Sequence, residues 1–103
     1  MKDLSETGHK YELASFEGGK PQVIQFIEKI PLAEGSTEMK TVNDGTTNEE
    51  MLEVLIDRCG QLNSKFPSRE TALAITKMEE ALMWLNRRTA NRAKRNVEGK
   101  YIA

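Results

Sequence analysis

The sequence predicts an α+β fold, with a small N-terminal β segment over residues 1–45 and a long antiparallel helical hairpin over residues 46–103. Three observations predict it. Apolar residues partly alternate on both sides of a Gly-Gly-Lys-Pro turn, which is typical of paired strands. After Gly45 the period changes, and apolar residues recur every three or four positions, as on a helix. Pro67 divides this second pattern into two helices.

In the β segment, Tyr11–Phe16 and Gln22–Ile30 are the predicted strands of a β-hairpin. Glu38–Val42 is a candidate third strand, which would make a three-stranded sheet. We expect the first nine residues, which are polar, to fray. So small a sheet is not stable alone and must lie on helices or on another subunit.

Both helices show clear signals. Thr47 and Glu50 have the spacing of a capping box at the start of the first helix. One apolar face of that helix holds Met51, Leu55, Cys59, Leu62 and Phe66, and Leu52 and Ile56 widen it. The second helix carries an a/d seam of Thr71, Ile75, Met78, Leu82, Leu85 and Thr89. Because Leu73 and Met83 lie off this seam, the second helix is apolar on more than one side, which predicts an oligomer.

Composition excludes several classes of protein. The chain has 103 residues, enough for one domain at most, and 38% of them are hydrophobic. No apolar run approaches the roughly 18 residues of a membrane span, and Met1–Tyr11 lacks the apolar region of a signal peptide. Cys59 is the single cysteine and His9 the single histidine, which leaves little for disulfides, metal sites or histidine-based catalysis. We therefore expect a cytoplasmic protein without cofactor, metal or membrane partner.

Charge is distributed unevenly along the chain. Residues 1–50 carry a net charge of −5 and residues 51–103 a net charge of +4. The positive charge is concentrated between Arg87 and Arg95, where no acidic residue occurs. Such a region favours an anionic ligand, a nucleic acid or an acidic protein chain. A total of −1 argues against a dedicated nucleic-acid coat.

A stripe on the second helix has the residue types that bind nucleotides. Trp84, Arg88, Arg92 and Arg95 follow one another at steps of four, four and three. An indole ring stacks on a purine, and guanidinium groups match phosphate oxygens with two parallel hydrogen bonds. Alternatively, Trp84 packs in a core and the arginines interact with the negative end of the helix dipole.

A second pair, Arg69 and Thr76, lies on one face of the same helix at a spacing of seven residues. A guanidinium and a hydroxyl group could therefore contact one ligand. The alternative is that Arg69 pairs with an acidic residue and Thr76 donates to a carbonyl of its own helix.

The segment Ser68–Leu85, SRETALAITKMEEALMWL, resembles the helical-hairpin domain shared by phage anti-CBASS and anti-Thoeris proteins. The resemblance extends over about residues 46–101 and includes the Val97-Glu98-Gly99 tail. Proteins of this family act as sponges, which bind cyclic nucleotide messengers of bacterial immune systems without degrading them. The resemblance therefore implies a phage protein that serves immune evasion and acts in the cytoplasm of the infected bacterial cell. The β segment before the hairpin is more similar to the anti-Thoeris branch.

The resemblance also implies a homohexamer, arranged as a trimer of dimers, with two kinds of pocket. A pocket for cyclic trinucleotides would use Arg69 and Thr76. A pocket for cyclic dinucleotides or cyclic ADP-ribose isomers would use Arg88 and Arg92, with Phe16, Phe26 and Trp84 as aromatic partners. The expected function is therefore binding and sequestration, not catalysis.

Two other functions remain open from the sequence. A phosphodiesterase could cleave the same messengers, but it would need a metal cluster or a general base. A nucleic-acid-binding or adaptor module could use Arg87–Arg95 as a clamp on a phosphate backbone. We do not expect nucleic acid to be the main partner.

Overall fold

The structure is a computed structural model that describes residues 1–94, and it has five strands followed by two helices. In chain order the elements are β1 Lys2–Asp3, β2 Lys10–Leu13, β3 Gln22–Gln25, β4 Glu28–Pro31, β5 Met39–Asn43, α1 Asn48–Lys65 and α2 Arg69–Lys94. Within the described residues, 1–47 form one compact unit and 48–94 another. The predicted α+β class, with strands before a helical pair, is confirmed.

The first sheet contains the predicted hairpin. β2 and β3 are antiparallel, with Leu13 opposite Gln22. In the turn between them, the amide of Gly18 donates a hydrogen bond to the carbonyl oxygen of Ser15 over 3.0 Å. Gly18 has φ of 77°, a backbone conformation that L side chains rarely adopt. The Gly-Gly step therefore marks the turn, as expected.

The prediction that the first nine residues fray is wrong. β1 is the third strand of this sheet, whose order is β1-β2-β3, and Asp3 lies opposite Tyr11. The Asp3 carboxylate organises the connection to β2. Its Oδ1 accepts hydrogen bonds from the amide and hydroxyl of Ser5 at 3.0 and 2.8 Å, and its Oδ2 accepts one from the amide of Gly8 at 2.8 Å. Polar side-chain hydrogen bonds, and not apolar burial, order this segment.

The predicted strand Gln22–Ile30 is two strands in different sheets. The break falls at Phe26, whose amide donates to the carbonyl of His9 over 2.7 Å. The next amide, of Ile27, donates to the carbonyl of Thr46 over 2.9 Å. Phe26 and Thr46 thus form a parallel bridge that the alternating pattern could not reveal.

The predicted third strand exists but belongs to the second sheet. Instead of joining the hairpin, β5 pairs with β4 in an antiparallel, two-stranded sheet, with Pro31 opposite Met39. A bulge between Glu28 and Lys29 shifts the register of this pair.

The helices begin and end where the sequence predicts. α1 starts directly after Thr47 and ends before Pro67. The hydroxyl of Ser68 accepts a hydrogen bond from the amide of Thr71 over 3.1 Å, so Ser68 is the N-cap of α2. The connection from Phe66 to Ser68 is too short for anything but an antiparallel pair.

The helical pair uses the predicted seam of α2 but only part of the predicted face of α1. On α2 the half-buried apolar positions are Ile75, Met78, Leu82 and Leu85, with Thr71 beside them and Thr89 exposed. On α1 they include Leu52, Ile56 and Cys59. Leu55, Leu62 and Phe66 are instead 42%, 44% and 78% exposed. The apolar sector of α1 is wider than one neighbouring helix covers, so an apolar stripe remains open.

No apolar side chain among residues 1–94 is buried, and Arg92 is the one buried residue in that range. Domains of this size normally depend on buried apolar surface for their stability. A single copy therefore leaves every apolar side chain of the described helices at least partly exposed. No helix within the described part of the chain is long and apolar enough to cross a membrane.

Candidate functional site

The N-terminal end of α2 carries the first predicted pair. Arg69 is the first residue of the helix, is exposed, and makes no ion pair within residues 1–94. Thr76 is also exposed, and its hydroxyl donates to the carbonyl of Ala72 over 3.2 Å. Amides in the first turn of a helix carry partial positive charge, and here the amide of Thr71 is already bonded to the Ser68 hydroxyl. Together with Arg69 they make this end of α2 attractive to an anion.

An aromatic–cation pair lies in the second half of α2. The indole of Trp84 is 54% exposed, and Cζ of Arg87 lies 5.5 Å from the ring centroid. This distance is within the range of a cation–π interaction. The sequence pattern aligned Trp84 with Arg88 and missed Arg87. The signal was available, because residues three apart on a helix also share a surface.

The two arginines that follow differ in accessibility. Arg88 is exposed, whereas Arg92 is buried, with 6% of its surface exposed. In a single copy, therefore, Arg88 is open to a ligand and Arg92 is not. Arg95, the last member of the predicted stripe, lies outside the described residues.

The predicted aromatic partners lie in the sheet unit and have different surroundings. Phe16, in the β2–β3 turn, is fully exposed. Phe26 is half-buried, and its ring meets that of Tyr11 edge-on, with centroids 5.9 Å apart and planes at 87°. Phe16 is therefore free to stack, whereas Phe26 already contacts another ring.

A groove between α1 and α2 is unsuited to anions. It has a volume of about 460 Å³ and an apolar floor of Ile56, Leu82 and Met83. Three carboxylates also line it, those of Glu53, Asp57 and Glu79. Their negative charge repels phosphate, so the cationic groups at the two ends of α2 are the better candidates. Within the described range, no three His, Cys, Asp or Glu residues are close enough to hold a metal ion.

Distance along α2 separates its two cationic surfaces. At 1.5 Å of rise per residue, Arg69 and Thr76 are about 10 Å apart along the axis, whereas Arg69 and Arg88 are about 28 Å apart. One small ligand can span the first distance but not the second. The chain thus presents two separate cationic surfaces on α2.

Comparisons with known proteins agree on one family. Residues 24–90 match the family model described as Acb2/Tad1, hairpin domain. Thoeris anti-defense 1 from Bacillus phage SBSphiJ7 is 36% identical over 120 aligned positions, which cover 97% of this chain and 84% of that protein. The matched region 24–90 includes Arg69, Thr76, Trp84 and Arg88, and it leaves out Phe16.

Proposed function

The chain belongs to the Acb2/Tad1 hairpin family of phage anti-defence proteins, and from this membership we propose that it is a sponge for cyclic nucleotide messengers. It binds messengers of bacterial CBASS or Thoeris defence in the infected cell and sequesters them uncleaved. The observation that carries the proposal is the similarity to a phage Thoeris anti-defence protein over 97% of the chain.

The uncovered apolar surface supports an oligomeric sponge. Leu55 and Leu62 on α1, with Phe66 directly after it, form an open stripe, and Leu73 and Met83 are 45% and 49% exposed on α2. Covering such surface with further copies supplies the burial that one chain lacks. We propose a homohexamer, arranged as a trimer of dimers. Its pockets lie between copies, because a chain this small cannot enclose a cyclic nucleotide.

The first proposed pocket binds cyclic trinucleotides through Arg69 and Thr76. The exposed guanidinium of Arg69 and the amides of the first turn favour a phosphate there. The Thr76 hydroxyl donates to its own helix, so its oxygen is available as an acceptor for a base amino group. Around a symmetry axis, each copy contributes the same pair to a repeating ligand.

The second proposed pocket binds cyclic dinucleotides or cyclic ADP-ribose isomers. Arg88 contacts phosphate directly, and Trp84 offers an exposed ring for base stacking. Arg92 joins this pocket only if assembly or ligand binding exposes it. Phe16 is the more accessible of the two phenylalanines proposed as further stacking partners, and Phe26 is the other.

The test is recovery of an intact ligand. The protein is incubated with cyclic di-AMP, cyclic tri-AMP and cyclic ADP-ribose, separated from free ligand and denatured by heat, and the released compound is identified by mass spectrometry. We expect an unchanged cyclic compound and submicromolar affinity for at least one of the three. Linearised product would indicate a phosphodiesterase, and an absence of binding would contradict the proposal.

Exposure of Arg87 and Arg88 favours a second candidate, a nucleic-acid-binding module. Binding to a phosphate backbone releases counterions and therefore weakens steeply with salt. Binding in a closed pocket depends on salt much less. DNA affinity measured at two salt concentrations, beside messenger affinity, separates the two functions.

A further inference from the structure

The pairing of Trp84 with Arg87 lies at the surface, where a structural role explains it poorly. The indole is 54% exposed, and the guanidinium over it makes no ion pair with any carboxylate within residues 1–94. From Asn86 to Lys94 the helix contains no acidic residue. Among the described residues, the π-face of the Trp84 ring is therefore the recorded partner of this cation.

Packing the Trp84–Arg87 surface against another apolar helix would be energetically unfavourable. Such packing would bury the Arg87 guanidinium together with the indole, and an unpaired buried cation is costly. A ligand that brings its own negative charge removes this cost. A ligand with a flat ring next to an anionic group fits this pair best, because its ring can stack on the indole and its anionic group can bind the guanidinium.

We propose that Trp84 and Arg87 form a combined stacking and phosphate-binding platform for one nucleotide unit of the messenger. The base stacks on the indole, and the guanidinium donates hydrogen bonds to the neighbouring phosphate. Arg87 is thus a specificity-determining residue, in addition to Arg88. This inference rests on the proposed function and assigns part of its second pocket.

The two arginines diverge from Trp84 in a way that suits a cyclic ligand. Arg87 and Arg88 are adjacent, so their side chains leave the helix about 100° apart. They lie three and four residues beyond Trp84 and flank it on either side. Trp84 thereby lies between two arginine positions on the helix surface, which suits a base with a phosphate on each side.

Trp84 is the single tryptophan of the chain, so its fluorescence reports directly on this surface. The full-length protein is titrated with cyclic di-AMP and with cyclic ADP-ribose, and calorimetry is recorded on the same samples. We expect emission to be quenched in proportion to calorimetric saturation. Inorganic phosphate alone, which has no ring to stack, should leave the emission unchanged.

Variants test whether binding depends on the Arg87 side chain itself or only on the net positive charge of the protein. Arg87→Ala should weaken binding by at least about tenfold, since charge-assisted bidentate hydrogen bonds are among the strong ones. Arg87→Lys should restore only part of the affinity, because lysine keeps the charge but lacks the planar fork. Arg58→Ala removes an exposed arginine from α1 and should bind as the parent does. Circular dichroism verifies that each variant is folded.

The outcomes distinguish this inference from the function on which it rests. If a messenger binds by calorimetry while Trp84 emission and the affinity of Arg87→Ala stay unchanged, the platform is refuted and the sponge function stands. If no messenger binds to the parent protein, both proposals are refuted. Parallel quenching and calorimetric saturation, with loss of affinity in Arg87→Ala and none in Arg58→Ala, support the platform.

Discussion

The backbone amide of Thr46 donates a hydrogen bond to the carbonyl oxygen of Gln25 over 2.9 Å. This bond holds the chain just before α1 against the connection between β3 and β4. Gly45, the preceding residue, lies close to that backbone. A Cβ built on Gly45 would be 2.7 Å from the carbonyl carbon of Phe26 and closer still to the oxygen of Gln25. Only glycine allows this approach.

Gly45→Ala should therefore destabilise the protein by about 1–3 kcal/mol, the range for a residue forced against fixed backbone. Gly60→Ala is the matched control. Apart from its chain neighbours and its own helix backbone, no atom of the described residues lies within 4 Å of a Cβ built on Gly60, so this change should raise stability by about 1 kcal/mol. Urea denaturation at one fixed protein concentration measures both. Equal effects of the two changes would contradict the close approach at Gly45.

Asp3 should make the β1–β2 connection sensitive to acid. Hydrogen bonding, first from the Ser5 hydroxyl and then from backbone amides, lowers the pKa of Asp3. Its folded-state pKa thus lies below the unfolded value. The ordering effect is present above the unfolded pKa and is lost as pH falls through the folded pKa. Protection of the amides of residues 5–10 against exchange, relative to their intrinsic exchange rates at each pH, should fall below that pH.

At neutral pH, Asp3→Asn should accelerate hydrogen exchange of the same amides, because a neutral amide side chain accepts these hydrogen bonds more weakly. Glu6→Gln removes a side-chain charge from the same connection but keeps the Glu6 backbone amide, which donates to Asp3 Oδ1 over 3.0 Å, so it serves as the control. Identical exchange in the two variants would show that charge alone, and not the hydrogen bonds of Asp3, orders the segment.

The helical hairpin was predictable because its signals are local. The Ser68 cap, the stop at Pro67 and the seam through Leu82 depend on neighbours in sequence. The strands were predicted less well, since the bridge between Phe26 and Thr46 depends on residues distant in sequence. The ordering of the N-terminus by Asp3 is carried by polar hydrogen bonds, which hydrophobic periodicity does not report.

For the binding surfaces, periodicity identified which residues share a face of α2 but not which of them touch. It aligned Trp84 with Arg88, whereas the guanidinium over the ring is that of Arg87. Nor could it distinguish exposed Arg88 from buried Arg92, because burial depends on how the whole chain folds.

Because the two cationic surfaces are separate, we expect a substitution at each one to remove the affinity for a different class of ligand. Arg69→Ala should abolish binding of cyclic tri-AMP and leave cyclic di-AMP and cyclic ADP-ribose affinity unchanged. Arg88→Ala should do the reverse. Calorimetry with all three probes measures the pattern, and Lys77→Ala, which removes an exposed cation between the surfaces, is the control. Loss of every ligand in one variant would show that the surfaces form a single site.

If the open stripe on α1 is an interface between copies, a substitution there should prevent assembly without unfolding the chain. Leu62→Asp places a charge at a position 44% exposed in a single copy and should dissociate the oligomer while helicity persists. Leu82→Asp places the charge in the half-buried seam between α1 and α2 and should instead unfold the hairpin. Sedimentation and circular dichroism measure the two effects. An unchanged mass for Leu62→Asp would remove this stripe from the interface.

Native mass spectrometry of the protein, alone and mixed with cyclic di-AMP, cyclic tri-AMP and cyclic ADP-ribose, is the sharpest test of the proposed sponge. It reports the number of copies, the bound compound and its integrity in one spectrum. We expect a hexamer that gains the mass of uncleaved cyclic nucleotide. A monomer that takes up none of these compounds, or an assembly that releases them linearised, would contradict this expectation.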